Sequence, residues 1–282
     1  MPTANINGME MQYLDQGEGF PLLFGHGYLW DSRMWAPQLD VLSEHFRCIV
    51  PDLWGHGGSQ PDAARPLDIS ALADDHHALM QQLGIDRYAV IGSSIGVLWG
   101  ARLAIEYPEE VAGLVMLNGY LGEEPAENVA EYEHLLDIVG SMGSIPGAVM
   151  DALTRMMFCE STFVSKPALI ETYRFDMMTL TPEQIATAVA MGKAMLKRRS
   201  QLDRLEEIRC PVSIIVGDSD VFRPVAEARH MHSQIPGSAL TVIKNAGHIS
   251  NLEQDRQVSQ VLVDYLKANP DIPCDADRLV LV

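Results

Sequence analysis

Apolar and polar positions alternate through TANI and MEMQYLD on either side of Asn7-Gly8, a pair suited to the positive φ angles of a two-residue turn. The spacing predicts an antiparallel hairpin at a sheet edge. The pattern then changes to short, uninterrupted apolar runs that each end in glycine, proline or a polar turn: PLLFGHG, RCIVPDL, YAVIGSS, VAGLVMLNG, CPVSIIVGD and ALTVIKNAG. Continuous Val/Ile/Leu character predicts strands covered on both faces. Helix-length segments separate them, at 35–45, 69–83, 95–107, 225–234 and 251–268; in the first, Trp35, Leu39 and Leu42 form one apolar stripe. Strands alternating with helices predict an α/β protein with a mostly parallel, twisted sheet and helices on both faces.

The alternation breaks after Asn118. From about Tyr120 to Glu207 the pattern is helical throughout, and this stretch carries eight of the fifteen methionines: Met142, Met150, Met156, Met157, Met177, Met178, Met191 and Met195. A helical block between two sheet strands predicts an insertion, a cap at 120–207 over a core made of 1–119 and 208–270, followed by a tail at 271–282. The methionines suit either an adaptable apolar pocket wall or the core of the inserted helices. The tail, CDADRLVLV, reads as a docking segment or a frayed end.

Candidate chemistry begins at VIGSSIGVLWG. A strand-like run reaches Gly92 and a helical pattern starts at Ile95, so Ser93 and Ser94 sit on a sharp strand-to-helix turn. Residues two positions either side of its apex must be small, and only Ser94 has glycine at both places, Gly92 and Gly96. This is the G-x-S-x-G nucleophile elbow in its proper context, although a tight packing turn without chemistry has the same composition. A serine hydroxyl needs a base, and the base an orienting acid. Downstream, SIIVGDSDVFRP places Asp218 and Asp220 just past a strand end, and TVIKNAGHISNLE places His248 in a loop past the last strand. All of them fall on the carboxyl edge of one parallel sheet, where sites in such sheets assemble.

Taken together, FGHGYLWDSRMW, VPDLWGHGGS, GSSIG, AIEYPEEVAGLVMLN, VGDSDVFRP and AGHISNLEQ resemble the α/β-hydrolase fold family, with similarity over nearly the whole core. The resemblance implies Ser94 as nucleophile, His248 as general base and then acid, and Asp220 rather than Asp218 as the orienting carboxylate, three residues past the strand-ending glycine. It also implies an oxyanion hole made by the backbone N–H groups of Tyr28 and Ile95. Many relatives have a second glycine where this chain has Val97, and His or Asn where it has Ser93; some take their acid after the sixth strand, where Asn118 stands here. Substrate contacts are expected from Tyr28, Trp30, Ser93 and Phe222 and from the inserted helices.

The other histidines read as structural. His26 shapes the HG loop, His56 sits in a turn, His76 and His77 with Asp74 and Asp75 form a solvated polar face, and His230 and His232 end a helix. Asp52 reads as a loop-ordering residue.

Composition narrows the rest. With 47% hydrophobic and 21% charged residues, the chain is expected to fold rather than remain disordered. The 38 acidic against 20 basic residues give a net charge of -18, which opposes binding to nucleic acid and to anionic membranes. Without a basic, apolar leader or a long apolar run, the expected location is cytoplasmic. Cys48, Cys159, Cys210 and Cys274 form no C-x-x-C pair and are expected to be reduced, mostly buried thiols, and no metal motif appears.

The resulting expectation is a serine hydrolase without cofactor or metal. It would cleave a small to medium carboxylic ester or lactone through an acyl-enzyme on Ser94, as in carboxylesterases and enol-lactonases. The alternatives are carbon–carbon bond hydrolysis of a diketone and a non-catalytic ligand-binding role. The expected partner is a small-molecule acyl substrate; the sequence does not fix the oligomeric state.

Overall fold

Asn7 and Gly8 both take positive φ, 53° and 88°, and turn β1 (Thr3–Ile6) into β2 (Met9–Gln16) as the expected antiparallel hairpin. The computed structural model describes residues 1–59, 67–275 and 277–281, so Ala276 and Val282 of the tail lie outside the described residues. The six apolar runs become β3 (Phe20–Gly25), β4 (Phe46–Pro51), β5 (Tyr88–Ser93), β6 (Val111–Leu117), β7 (Val212–Gly217) and β8 (Ala239–Ile243). The order across the sheet is β1-β2-β4-β3-β5-β6-β7-β8, antiparallel at β1–β2 and β2–β4 and parallel elsewhere. Central β5 and β6 are buried along their whole length, as continuous apolar character requires.

Helices cover both faces. On one lie α1 (Ala36–Leu42) and, at the end of the chain, α11 (Asp255–Ala268); on the other lie α2 (Ile69–Gln82), α3 (Ile95–Glu106) and α9 (Val225–Gln234). The segment expected as one helix at 251–268 is divided at Gln254, whose φ of -129° and ψ of 53° leave the helical region. A short α10 (Ser250–Glu253) precedes the break, with Glu253 turned inward, and α11 then presents Val258, Leu262, Val263 and Leu266 to the core.

Between β6 and β7 every regular element among the described residues is helical: α4 (Ala126–Met142), α5 (Gly147–Met157), α6 (Thr162–Ser165), α7 (Pro167–Met178), α8 (Pro182–Leu196) and a short 3-10 turn at Leu202–Glu207. Thr181 starts α8 with a capping box closed by Gln184. The methionines there divide by position: Met150, Met157, Met177 and Met191 are buried, whereas Met142 and Met178 are exposed. In the tail, Ile272 and Leu279 are buried in the core cluster that includes Ala112 and Leu266.

The solvated polar face expected on α2 is not found. His76 and Asp75 are buried rather than solvated. His76 stacks on Trp99 at 3.9 Å and donates through Nδ1 to the Leu72 carbonyl, and Asp75 accepts from Trp54 Nε1 and Asn7 Nδ2. Helical spacing places these polar side chains on the inner face of α2, and each finds a partner there.

Candidate active site

Ser94 stands between β5 and α3 with φ 53° and ψ -112°, a conformation costing about 1–3 kcal/mol that the surroundings must over-determine. Its N–H donates to the Leu117 carbonyl at 2.9 Å, and its own carbonyl accepts from Val97 N–H at 3.0 Å. The two glycines are there for space. A Cβ on Gly92 would lie 2.3 Å from the Gly96 oxygen, and one on Gly96 would lie 2.5 Å from the Gly25 oxygen. Backbone meets backbone at both points, so the apex falls on Ser94 and not on Ser93. Ser93 instead ends β5 opposite Leu117, fully buried, with its hydroxyl unpartnered among the described residues, and it does not line the cavity described below. Val97 fits because Gly119 has no side chain: a Cβ there would lie 2.5 Å from that of Val97.

The carboxyl edge of the sheet brings three distant residues together. His248 Nε2 lies 3.0 Å from Ser94 Oγ, and its Nδ1 lies 2.9 and 3.1 Å from the two carboxylate oxygens of Asp220. Facing a carboxylate, Nδ1 carries the proton, which leaves Nε2 as the acceptor of the serine hydroxyl. The Asp220 side chain is shielded from solvent and receives donors on both oxygens. Oδ1 accepts the backbone N–H of Phe222 at 3.0 Å and of Arg223 at 2.9 Å; Oδ2 accepts Asn118 Nδ2 at 2.8 Å as well as the imidazole. Asp218 is not part of this group and lies near Lys244, 3.7 Å away.

Asn118 is a residue the sequence did not single out for a role. With φ 50° it caps β6, donates to Asp220 and to the Gly247 carbonyl, and accepts Ser250 Oγ at 2.5 Å. Its place after the sixth strand was the available signal.

The loop 26–30 lies against the serine: a Cβ on Gly27 would be 3.6 Å from Ser94 Cβ. His26 holds this loop through both ring nitrogens, donating from Nδ1 to the Gly27 carbonyl and accepting Leu53 N–H on Nε2. Burial lowers its pKa to about 4, so it stays neutral. His56 does the same between Trp54 and Leu29, and burial also lowers its pKa to about 4. Asp52 accepts the N–H groups of Ser32 and Gly58. Tyr28 reaches the inserted helices, donating its hydroxyl to the Ala188 carbonyl of α8 at 2.6 Å.

Over Ser94 and His248 lies a cavity of about 170 Å³. Its walls are apolar side chains of α4, α5 and α8, among them Leu136, Val139, Leu153 and Ile185, and three of the inserted methionines, Met156, Met157 and Met195, line it. Tyr28 and Phe222 line it too, and the Phe222 ring packs 5.2 Å from the His248 ring. At one side stands a buried ion cluster that the sequence did not announce. Glu124 accepts Arg198 at 3.0 Å and also Arg223, and Arg223 faces Glu227. Burial opposes ionisation of Glu124, but Arg223, Asn128 and Arg198 together hold its carboxyl below the ordinary range. Trp30 lines a different cavity, beyond Leu29 and Ala188, where it stacks on Tyr173 at 5.1 Å.

A family profile for the alpha/beta hydrolase fold matches residues 21–146. The chain belongs to this family of hydrolytic enzymes. Among solved structures it is similar to a thermophilic esterase from Thermogutta terrifontis, 30% identical, with a TM-score of 0.86 over 94% of this chain and 97% of that one. It is also similar to the enol-lactonase from Burkholderia xenovorans LB400, 25% identical, with a TM-score of 0.84 over 94% and 99% of the two chains. A curated relative from Escherichia coli, named "Putative carbamate hydrolase RutD", is 28% identical over 234 residues, which are 82% of this chain and 85% of the relative. Among the described residues no helix is long and apolar enough to cross a membrane.

Proposed function

We propose that the chain is a serine esterase or lactonase acting on a small to medium carboxylic ester or lactone through an acyl-enzyme on Ser94. The observation that carries this reading is the unbroken relay from Ser94 Oγ to His248 Nε2 and from His248 Nδ1 to Asp220, with distances of 3.0 and 2.9 Å. Ser94 Oγ attacks the carbonyl carbon as His248 takes its proton. The tetrahedral oxygen is received by the N–H groups of Tyr28 and Ile95. Support for these donors is that neither is bonded to an acceptor among the described residues, and that Ile95 opens α3, where no preceding helical carbonyl exists to receive it. One such donor is worth about 2.7–4 kcal/mol of barrier. His248 then gives its proton to the leaving alkoxide. Water, deprotonated by His248, releases the acid and restores Ser94.

The apolar cavity favours an apolar acyl group. Buried apolar surface contributes roughly 25 cal/mol per Å², so each methylene accommodated adds about 0.8 kcal/mol.

The test is labelling with a fluorophosphonate alongside assays on short acyl nitrophenyl esters, a lactone panel and a ring-cleavage diketone. Labelling at Ser94, its loss in Ser94→Ala, and turnover of esters or lactones are expected. Folded protein without a mass shift at Ser94 would end the nucleophile assignment, and activity on the diketone alone would end the esterase one.

A further inference from the structure

The Gly247–His248 backbone is gripped from two sides. From the sheet, Asn118 Nδ2 donates to the Gly247 carbonyl at 3.2 Å. From the inserted helices, the Met157 carbonyl accepts His248 N–H at 2.8 Å. The approach is close enough that a Cβ on Gly247 would lie 2.7 Å from Cys159 N and 2.8 Å from Met157 O. Between these two strands of chain sits the carboxylate of Glu253, whose residue is only 3% exposed. Its Oε1 accepts Gly247 N–H at 2.7 Å; its Oε2 accepts Cys159 N–H at 2.7 Å and Thr162 Oγ at 2.6 Å.

We propose that Glu253 is a positioning residue for the general base, clamping the His248 loop to the segment between α5 and α6 so that Nε2 stays in reach of Ser94. The proposal rests on the assignment of His248 as base given above.

The chemistry of the clamp demands a carboxylate. Three donors converge on one side chain, and an ionised carboxyl, with two oxygens and about four lone-pair sites, accepts all of them without offering a hydrogen of its own. An amide of the same shape would turn an NH2 toward either Gly247 N–H or the Cys159 and Thr162 donors, opposing donor to donor. Burial raises the Glu253 pKa, and among the described residues no cation is bonded to the group; the donors Thr162, Cys159 and Gly247 are what keep the charge tolerable. Its position also explains the break at Gln254. Ending α10 there turns Glu253 inward while α11 keeps its own apolar stripe on the core.

Through this clamp the inserted helices do more than wall the cavity. Met157, at the end of α5, both lines the pocket and holds His248, so the pocket wall and the base share one anchor. Displacing a catalytic group by about 1 Å costs on the order of 10²-fold in rate.

The experiment compares Glu253→Gln, Thr162→Val and Thr162→Ser with the parent enzyme on a short acyl nitrophenyl ester, with active sites counted by exhaustive fluorophosphonate labelling. Glu253→Gln is expected to lower kcat per labelled site by about 10-fold to 100-fold, with KM within about twofold. Thr162→Val is expected to lower it by about 3-fold to 10-fold, and Thr162→Ser, which keeps the hydroxyl, to restore it. A role confined to stability would reduce the number of labelled sites and the melting temperature while leaving kcat per site unchanged. That result in Glu253→Gln overturns the proposal. If Glu253→Gln does not fold, the same measurement on Thr162→Val decides, and a parental kcat per site overturns it there. Failure of the parent protein to label at Ser94 would instead strike the nucleophile assignment, before any variant is read.

Discussion

Replacing Asp220 by Asn changes one oxygen into an NH2 group, and the surrounding donors dictate which. If the NH2 takes the place of Oδ1, it faces two backbone donors, Phe222 N–H and Arg223 N–H, held at 3.0 and 2.9 Å by the turn after β7. Backbone donors cannot rotate away. If it takes the place of Oδ2, it faces Asn118 Nδ2 and the imidazole. The imidazole can respond by giving up the proton on Nδ1 and accepting there instead. The second arrangement is therefore favoured, and it moves the proton to Nε2, where it points at Ser94 Oγ and cannot take the serine hydrogen. The expected loss is about 10⁴-fold in kcat, which corresponds to about 5–6 kcal/mol of barrier. The shape of the side chain is retained, so KM for a short acyl nitrophenyl ester should change by less than about threefold. The assay is steady-state hydrolysis near neutral pH, with the far-ultraviolet spectrum and melting temperature as controls for folding. A folded Asp220→Asn protein within about tenfold of the parent rate would refute the assignment of Asp220 as the residue that fixes the imidazole.

Three further outcomes are expected. Gly96→Ala would push a methyl group to within 2.5 Å of the Gly25 carbonyl, and should cost about 1–3 kcal/mol in urea unfolding; an unchanged midpoint would mean that the elbow has slack. Val189→Phe places a ring in the apolar cavity and should raise KM for a hexanoyl ester by about tenfold while an acetyl ester changes by less than about twofold; equal effects on both would move the acyl group elsewhere. His26 and His56 have folded pKa values of about 4, below their ordinary 6.5, so the unfolded chain takes up protons first as the solution is acidified. Their contribution is fully present above about pH 6.5 and is lost as pH falls toward 4, by up to about 1.4 kcal/mol per pH unit for each histidine; urea unfolding from about pH 7 to about pH 5 would contradict this if stability stayed flat.

Local chemistry determined much of this protein before any folding was considered. Asn7-Gly8 sets the first hairpin because few other pairs tolerate two positive φ angles, and the apolar runs become strands because a sheet covered on both faces accepts nothing else. Gly92 and Gly96 distinguish Ser94 from Ser93 by composition alone, and the steric limit at Gly92 is local, since it meets the Gly96 carbonyl, whereas the one at Gly96 is set by the Gly25 carbonyl at the end of β3. Only the tertiary structure decided what depends on distant segments meeting. Asp75 and His76 are polar by type, yet they lie inside because Trp54, Asn7 and the Leu72 carbonyl give them partners. Val97 is permitted by Gly119, across the turn after β6. Glu124 and Arg223, 99 positions apart, meet at the cavity wall, and Glu253 joins segments 91 to 94 positions away from it. Hydrogen bonds and ion pairs of that span leave no periodicity in a sequence, because the donors and acceptors that complete them are brought into place by the packing of the sheet and the inserted helices, and not by their neighbours along the chain.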